Sequence, residues 1–188
     1  MLKYFLPKAK SSIGFTLIEL LIYAALLIII GVVAVAFFIQ VINVTETSRR
    51  SRESLDNARR VIDVIGQEIR HGSSVYTLTS KLDMDNGQLS LETTRDLPAD
   101  EESTYVDMYL NSDGRVYLRR ESGTDQLITS EKVKVTKLRF SLLSDPAVND
   151  PAEKTAVQVI VTAQYLDPIS GPSNQVTLTS TSTLRSYE

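Results

Sequence analysis

The sequence predicts an α+β fold: one long N-terminal α-helix, membrane-spanning in its first half, packed on an antiparallel β-sheet domain. Three observations predict it. Residues 15 to 39 form an apolar run whose only clearly polar members are Thr16, Glu19 and Tyr23. Leu55, Ala58, Ile62, Ile65 and Ile69 then recur at helical spacing. From residue 73 onward the apolar period changes to two, and Asp113-Gly114 sits between two alternating runs, a strong hairpin signal.

The apolar run is about 37 Å long as a helix, at roughly 1.5 Å per residue, which spans a bilayer with some tilt. An acid at mid-bilayer costs on the order of 2.5–3.5 kcal/mol, less near an end. Glu19 is therefore either a tolerated interfacial acid or a carboxylate with a cationic partner. No proline interrupts residues 15 to 71. Gly31 is the one weak point of the span, read either as an ordinary membrane-helix glycine or as a site of local melting during assembly.

Residues 43 to 71 continue the helix. The stripe of Leu55, Ala58, Ile62, Ile65 and Ile69 is narrow and fits one face docked on a sheet. Arg49, Arg50, Arg52, Arg59 and Arg60 alternate with Glu46, Glu53, Asp56 and Asp63, and read first as a solvated face. The other reading is contact with neighbouring subunits or lipid headgroups. His71-Gly72 ends the helix, with a cation candidate at the C-terminal dipole and a glycine suited to the position after it. Strands are expected at 74–79, 88–94, 104–111, 115–121, 133–143, 156–166 and 176–184. Loops are expected at 83–87, 97–102, 144–151 and 167–172 from their Pro, Gly, Asp and Asn content.

The stretch KSSIGFTLIELL, residues 10 to 21, resembles the type IV prepilin signature of a basic leader, a glycine, a phenylalanine and Thr-Leu-Ile-Glu. The resemblance covers roughly residues 8 to 40. It implies cleavage after Gly14 by a membrane aspartyl peptidase on the cytoplasmic side, N-methylation of Phe15 by the same enzyme, and a filament-assembly role for Glu19. It also implies three segments: a leader at 1–14, a helix at 15–71 with 15–42 in the membrane or filament core, and a β-rich domain at 73–188 with a pilin-like shape. The chemistry is coherent. Cleavage leaves an ammonium on Phe15, and a carboxylate one turn along can pair with it or with a neighbour's. Such a pair offsets the desolvation of both ions and argues more for register than for strength. The chain departs from many major pilins in lacking a helix-breaking proline in the membrane segment.

The globular part looks like the J-type minor pseudopilins of type II secretion. The resemblance lies in the order of Tyr117-Leu118-Arg119-Arg120, Leu138-Arg139-Phe140, the run 156–159 and the closing Ser182-Thr183-Leu184-Arg185. The implied role is a minor pilin or pseudopilin that primes or caps a pilus or pseudopilus. Its partners would be the prepilin peptidase, other major and minor pilins, the inner-membrane assembly platform and membrane lipid. The precursor would be single-pass in the inner membrane with its C-terminal domain outside the cytoplasm. The alternative is a membrane-anchored binding or adhesin domain that never polymerises. Two rival readings of the N-terminus compete: a secretory signal peptide cut after Ala34-Val35-Ala36, and a plain anchor. Flanking charge does not choose between topologies, because Lys3, Lys8 and Lys10 face Arg49, Arg50 and Arg52.

About 146 residues follow the membrane run, enough for one modest domain. Loss of the three leader lysines takes the net charge from −3 to −6, which disfavours a basic nucleic-acid surface. With no cysteine and one histidine, no thiolate chemistry, metal-spaced His/Cys cluster or G-x-S-x-G triad is expected. No P-loop or G-x-G-x-x-G occurs, so no cofactor and no enzyme activity are expected. Residues 83–87 (DMDNG) resemble a calcium loop only faintly, lacking the third acid and the bidentate Glu, and read as a solvated turn, as do 96–102.

Overall fold

The computed structural model describes residues 14–95, 97, 99–121, 123–143, 155–167 and 171–185. The expected leader up to residue 13, the loop at 144–151, part of the loop at 167–172, and Asp96 lie outside these. The chain divides into two compact units, one ending at Glu46 and one covering Thr47–Glu188. Helix α1 (Leu17–His71) is 55 residues long and carries the whole of the first unit's described structure beyond Thr16.

In the first unit the helix is apolar all round. Leu17, Leu27, Ile28, Val33, Phe37 and Phe38 are each well over half exposed. Each such side chain leaves roughly 1.5–3 kcal/mol of burial unrealised in water. The segment is long and apolar enough to cross a membrane. Gly31 lies inside the continuous helix, with open space around it.

The second unit is α+β, as the two periods require. Strands β1 (Gly72–Val75), β2 (Gln88–Thr93), β3 (Thr104–Leu110), β4 (Val116–Arg120) and β5 (Gln126–Leu127) form an antiparallel five-stranded sheet in sequence order. Strands β6 (Val133–Leu143), β7 (Ala156–Asp167) and β8 (Gly171–Thr183) form a second antiparallel sheet. One core joins helix and sheets: Ala58, Val61, Ile65 and Ile69 from α1 meet Leu91, Val106, Met108 and Leu118 of the first sheet and Val135, Phe140, Val159 and Val161 of the second. Full burial of Val61, Ile65 and Ile69 contributes roughly 5–9 kcal/mol as an upper figure.

The docked face is wider than the expected stripe and rotated by one residue. Val61 is buried where Ile62 is only half-buried, and Ser54, Asn57 and Glu68 are buried polar members. Each of the last two has a distant partner. Asn57 Oδ1 accepts a bond from the Ser130 backbone N–H at 2.7 Å, and Glu68 accepts one from Arg120 Nη2 at 2.8 Å. Arg49, Arg52, Asp56, Arg59, Arg60 and Asp63 are exposed, as a solvated face requires. Glu53 is half-buried and accepts a 3.4 Å bond from Ser130 Oγ.

The strand expected at 74–79 is shorter and earlier. The β1 ladder ends at Val75, opposite Leu91. The chain then turns: Ser80 Oγ donates to Tyr76 O (2.8 Å) while accepting the Ser90 N–H (3.0 Å). The apolar alternation continued past Val75, but the hydrogen bonds had another taker. Gly72 is also used differently from the expectation. It opens β1 opposite Thr93 and is not in the left-handed region. A Cβ there would come within 3.2 Å of Leu184 Cδ2 and 3.4 Å of the Ile69 carbonyl, so close packing is what it serves.

The two sheets are pinned together by turns. At the β3–β4 hairpin Gly114 has φ +75°, donates to Asn111 O (2.9 Å) and accepts from the Val135 N–H (2.7 Å). The loop at 83–87 lies along β6, with Leu138 N–H bonded to Asp85 O and Gly87 N–H to Leu138 O, both at 2.8 Å.

Candidate functional site at the start of the long helix

Gly14 and Phe15 precede the helix in open, non-helical backbone, and nothing lies within 4 Å of the position a Cβ would take on Gly14. Thr16 is the N-cap. The backbone N–H groups of Glu19 and Leu20 donate to its carbonyl at 3.1 and 3.2 Å, and the Glu19 N–H also reaches its Oγ1 at 3.4 Å. Glu19 is thus the third residue of the helix, in a Thr-x-x-Glu arrangement where an acid complements the positive end of the helix dipole. The spacing was present in the sequence, and the capping role it encodes was not read from it.

Phe15, Glu19 and Tyr23 stand four residues apart on one face. The Phe15 and Tyr23 rings are tilted, 5.8 Å between centroids, and Tyr23 Oη lies 3.5 Å from Glu19 Oε1, a long hydrogen bond at best. These two rings flank the acid. From Gly14 to Arg49 every residue is exposed except Glu19, which is half-buried. The structure therefore brings together the three residues singled out in the sequence, Gly14, Phe15 and Glu19, and adds Thr16 and Tyr23. Chemically the arrangement offers an accessible glycyl bond and a carboxylate one helical turn beyond it.

Several titratable groups elsewhere are engaged in the fold. Asp83 and Asp85 are exposed but paired rather than merely solvated. Lys137 Nζ is 3.1 Å from Asp85, the Arg139 guanidinium lies 3.7 Å from Asp83 and 3.8 Å from Asp85, and Ser141 Oγ donates to Asp83 at 2.6 Å. They brace the loop on β6. Among the described residues no group of three or more His, Cys, Asp or Glu is placed to hold a metal ion. His71 Nδ1 lies 2.8 Å from the Gln67 carbonyl, within the last helical turn.

The outer face of the first sheet carries a compact electrostatic cluster. Arg119 grips Asp125 with Nε at 2.5 Å and Nη2 at 2.8 Å, Tyr109 Oη donates to Asp125 at 2.9 Å, and the guanidinium stands 5.5 Å above the Tyr109 ring. The bonds from Arg119, then from Tyr109, hold the Asp125 carboxyl below the usual carboxylate range. Desolvation, then the bond to Asp125, raises the Tyr109 phenol. Tyr109 and Tyr117 are directly opposed across β3 and β4 and stack at 5.9 Å. The cluster fastens the short β5 edge to the sheet.

No family model, no curated protein and no solved structure matches the chain.

Proposed function

We propose that the chain is a minor pilin or pseudopilin: a filament subunit that is cut after Gly14, methylated on Phe15 and assembled through its N-terminal helix. The observation that carries the reading is the start of α1, where an exposed Gly14–Phe15 bond stands one turn ahead of a half-buried Glu19 on an otherwise exposed apolar helix. In the uncut chain Glu19 complements the helix dipole. After cleavage the new ammonium of Phe15 becomes the first charge within its reach. An apolar helix of this kind is at home in lipid, and equally in a bundle of its own kind, so release from one into the other exchanges like for like. The partners of this reading are prepilin peptidase, other pilins, the inner-membrane assembly platform and lipid, and its work is priming or capping a filament.

Mass spectrometry of the N-terminus of protein purified from its native membrane tests the proposal. The expected chain begins at methylated Phe15. Retention of Met1, or a start at Phe37, overturns it and leaves the membrane-anchored binding domain as the reading.

A further inference from the structure

The second sheet treats its two edges differently. The β6 edge is covered: Val135 N–H bonds Gly114 O (2.7 Å), Leu138 bonds the loop at 83–87 in both directions, and Asp83 N–H bonds Phe140 O (2.8 Å). The β8 edge is not. Among the described residues, no backbone hydrogen bond reaches residues 175–183 from the side away from β7. The first sheet ends in β1 and β5, of four and two residues, whereas β8 has thirteen.

The open stretch, nine residues from 175 to 183 after Pro172, is a template for another strand. Proteins that avoid such pairing place lysine, proline or a bulge on the edge. Residues 175–183 (QVTLTSTST) contain no charge and no proline, and the register shift in the β7–β8 ladder falls before them, at Gln164/Leu166. Their Val and Thr residues favour the strand conformation. On the core side Val176 and Leu178 remain half-buried, while their β7 partners Ala163 and Val161 are fully sealed. A strand laid beside β8 would finish their cover.

The neutrality of the edge selects the occupant. Self-pairing of a charged edge sets like charges opposite each other, which is destabilising. Two β8 edges meeting antiparallel set none, and a two-fold axis makes the contact self-complementary. We propose that β8 is a homotypic interface, through which two copies of the chain pair edge to edge and join their three-stranded sheets into one of six. The inference does not depend on the filament reading.

The chain has no cysteine, so introduced cysteines report contacts without background. Gln175, Thr177, Thr179, Thr181 and Thr183 are exposed on the outer face. Each is replaced by Cys in the full chain in detergent micelles, alone and mixed pairwise, and oxidised. An axis normal to the sheet keeps both core faces on one side, so odd positions meet odd positions at Cα distances within disulfide reach. Disulfide dimers are expected at least tenfold above the other mixtures for pairs whose residue numbers share one sum. Thr179→Lys, at an exposed position, places two ammonium groups at the seam. It should cut cross-linking of the best pair at least tenfold with the thermal unfolding midpoint unchanged. Uniform cross-linking at all positions, none at any, or dimers captured only by Val33→Cys in the apolar helix overturns the proposal. The N-terminal mass of the Thr179→Lys chain tests the filament reading separately.

Discussion

Glu19 answers to two surroundings. It sits at the third position of a helix capped by Thr16, where loss of a cap costs about 0.5–2 kcal/mol and an acid at the dipole about 0.3–1 kcal/mol. In the proposed filament subunit, cut after Gly14, its charge would be the useful property. Glu19→Gln keeps the size and loses the charge, so it should leave cleavage at Gly14 intact and reduce recovery of the chain in sheared filaments about tenfold or more. Immunoblotting of membrane and filament fractions reads both effects, and normal filament recovery would remove the ion-pair role. Gly14→Val, placing a branched side chain where the glycine stands open, should leave the precursor uncut, seen as a larger species on the same blot. At Asp125 the effect of pH follows from the sign of its shift. Its carboxyl titrates lower in the folded chain than in the unfolded one, near 3.9. It therefore stabilises the fold at all pH values above that, and the contribution is lost as pH falls through the folded value. Urea midpoints of wild type and Asp125→Asn should differ at pH 6 and converge towards pH 3. A constant difference would assign the effect to packing of Arg119 and Tyr109 rather than to the charge.

Among the elements, α1 shows best what local pattern conveys. Its length, its two characters and its end at His71 follow from the residues in order, and β6 runs from Val133 to Leu143 as the alternation requires. The Thr-x-x-Glu cap is equally local, made by Thr16 and Glu19 alone. What local pattern does not carry is the partner. Val75 through Thr79 have strand-forming side chains, but Ser80 takes the bonds that would extend β1. Gln126–Leu127 is too short to show a period, and its place is set by Val116, Tyr117 and Leu118. The split into two sheets depends on turns at 83–87 and 114 that dock on β6. Glu68 is buried against a partner, Arg120, that lies 52 positions away. Its side chain is 9% exposed and that of Arg120 27%, so Glu68→Ala takes the Glu68 carboxylate away from a largely buried guanidinium. The cost should be about 2–3 kcal/mol, below the 3–5 of a fully buried pair, lowering Tm by roughly 5–12 °C. Replacing both, as Glu68→Leu with Arg120→Met, should recover most of that loss. Failure of the double variant to recover would show that the pair is needed for more than neutralising itself.

At the scale of the whole molecule, stability and anchorage are divided along the chain. Among the described residues every buried one lies at Ser54 or beyond, so this core is built without the apolar first unit. The described part of the first unit, from Gly14 on, has almost no cover of its own: its side chains are exposed to whatever surrounds them, and only lipid or like helices make that favourable. A chain so divided should separate cleanly. The fragment 47–188 retains the half of α1 that carries Ala58, Val61, Ile65 and Ile69 and the eight described strands, and should be soluble and unfold in one cooperative transition, followed by near-UV circular dichroism of its tyrosines. Ile65→Ala in that fragment should cost about 2–5 kcal/mol, because it opens a cavity where helix and both sheets meet. The same substitution in the full chain should leave its partition into membranes unchanged, since the apolar unit alone sets that. If the fragment instead aggregates or shows no cooperative transition, the apolar helix contributes to the fold of the β-rich unit, and anchorage and stability are one property rather than two.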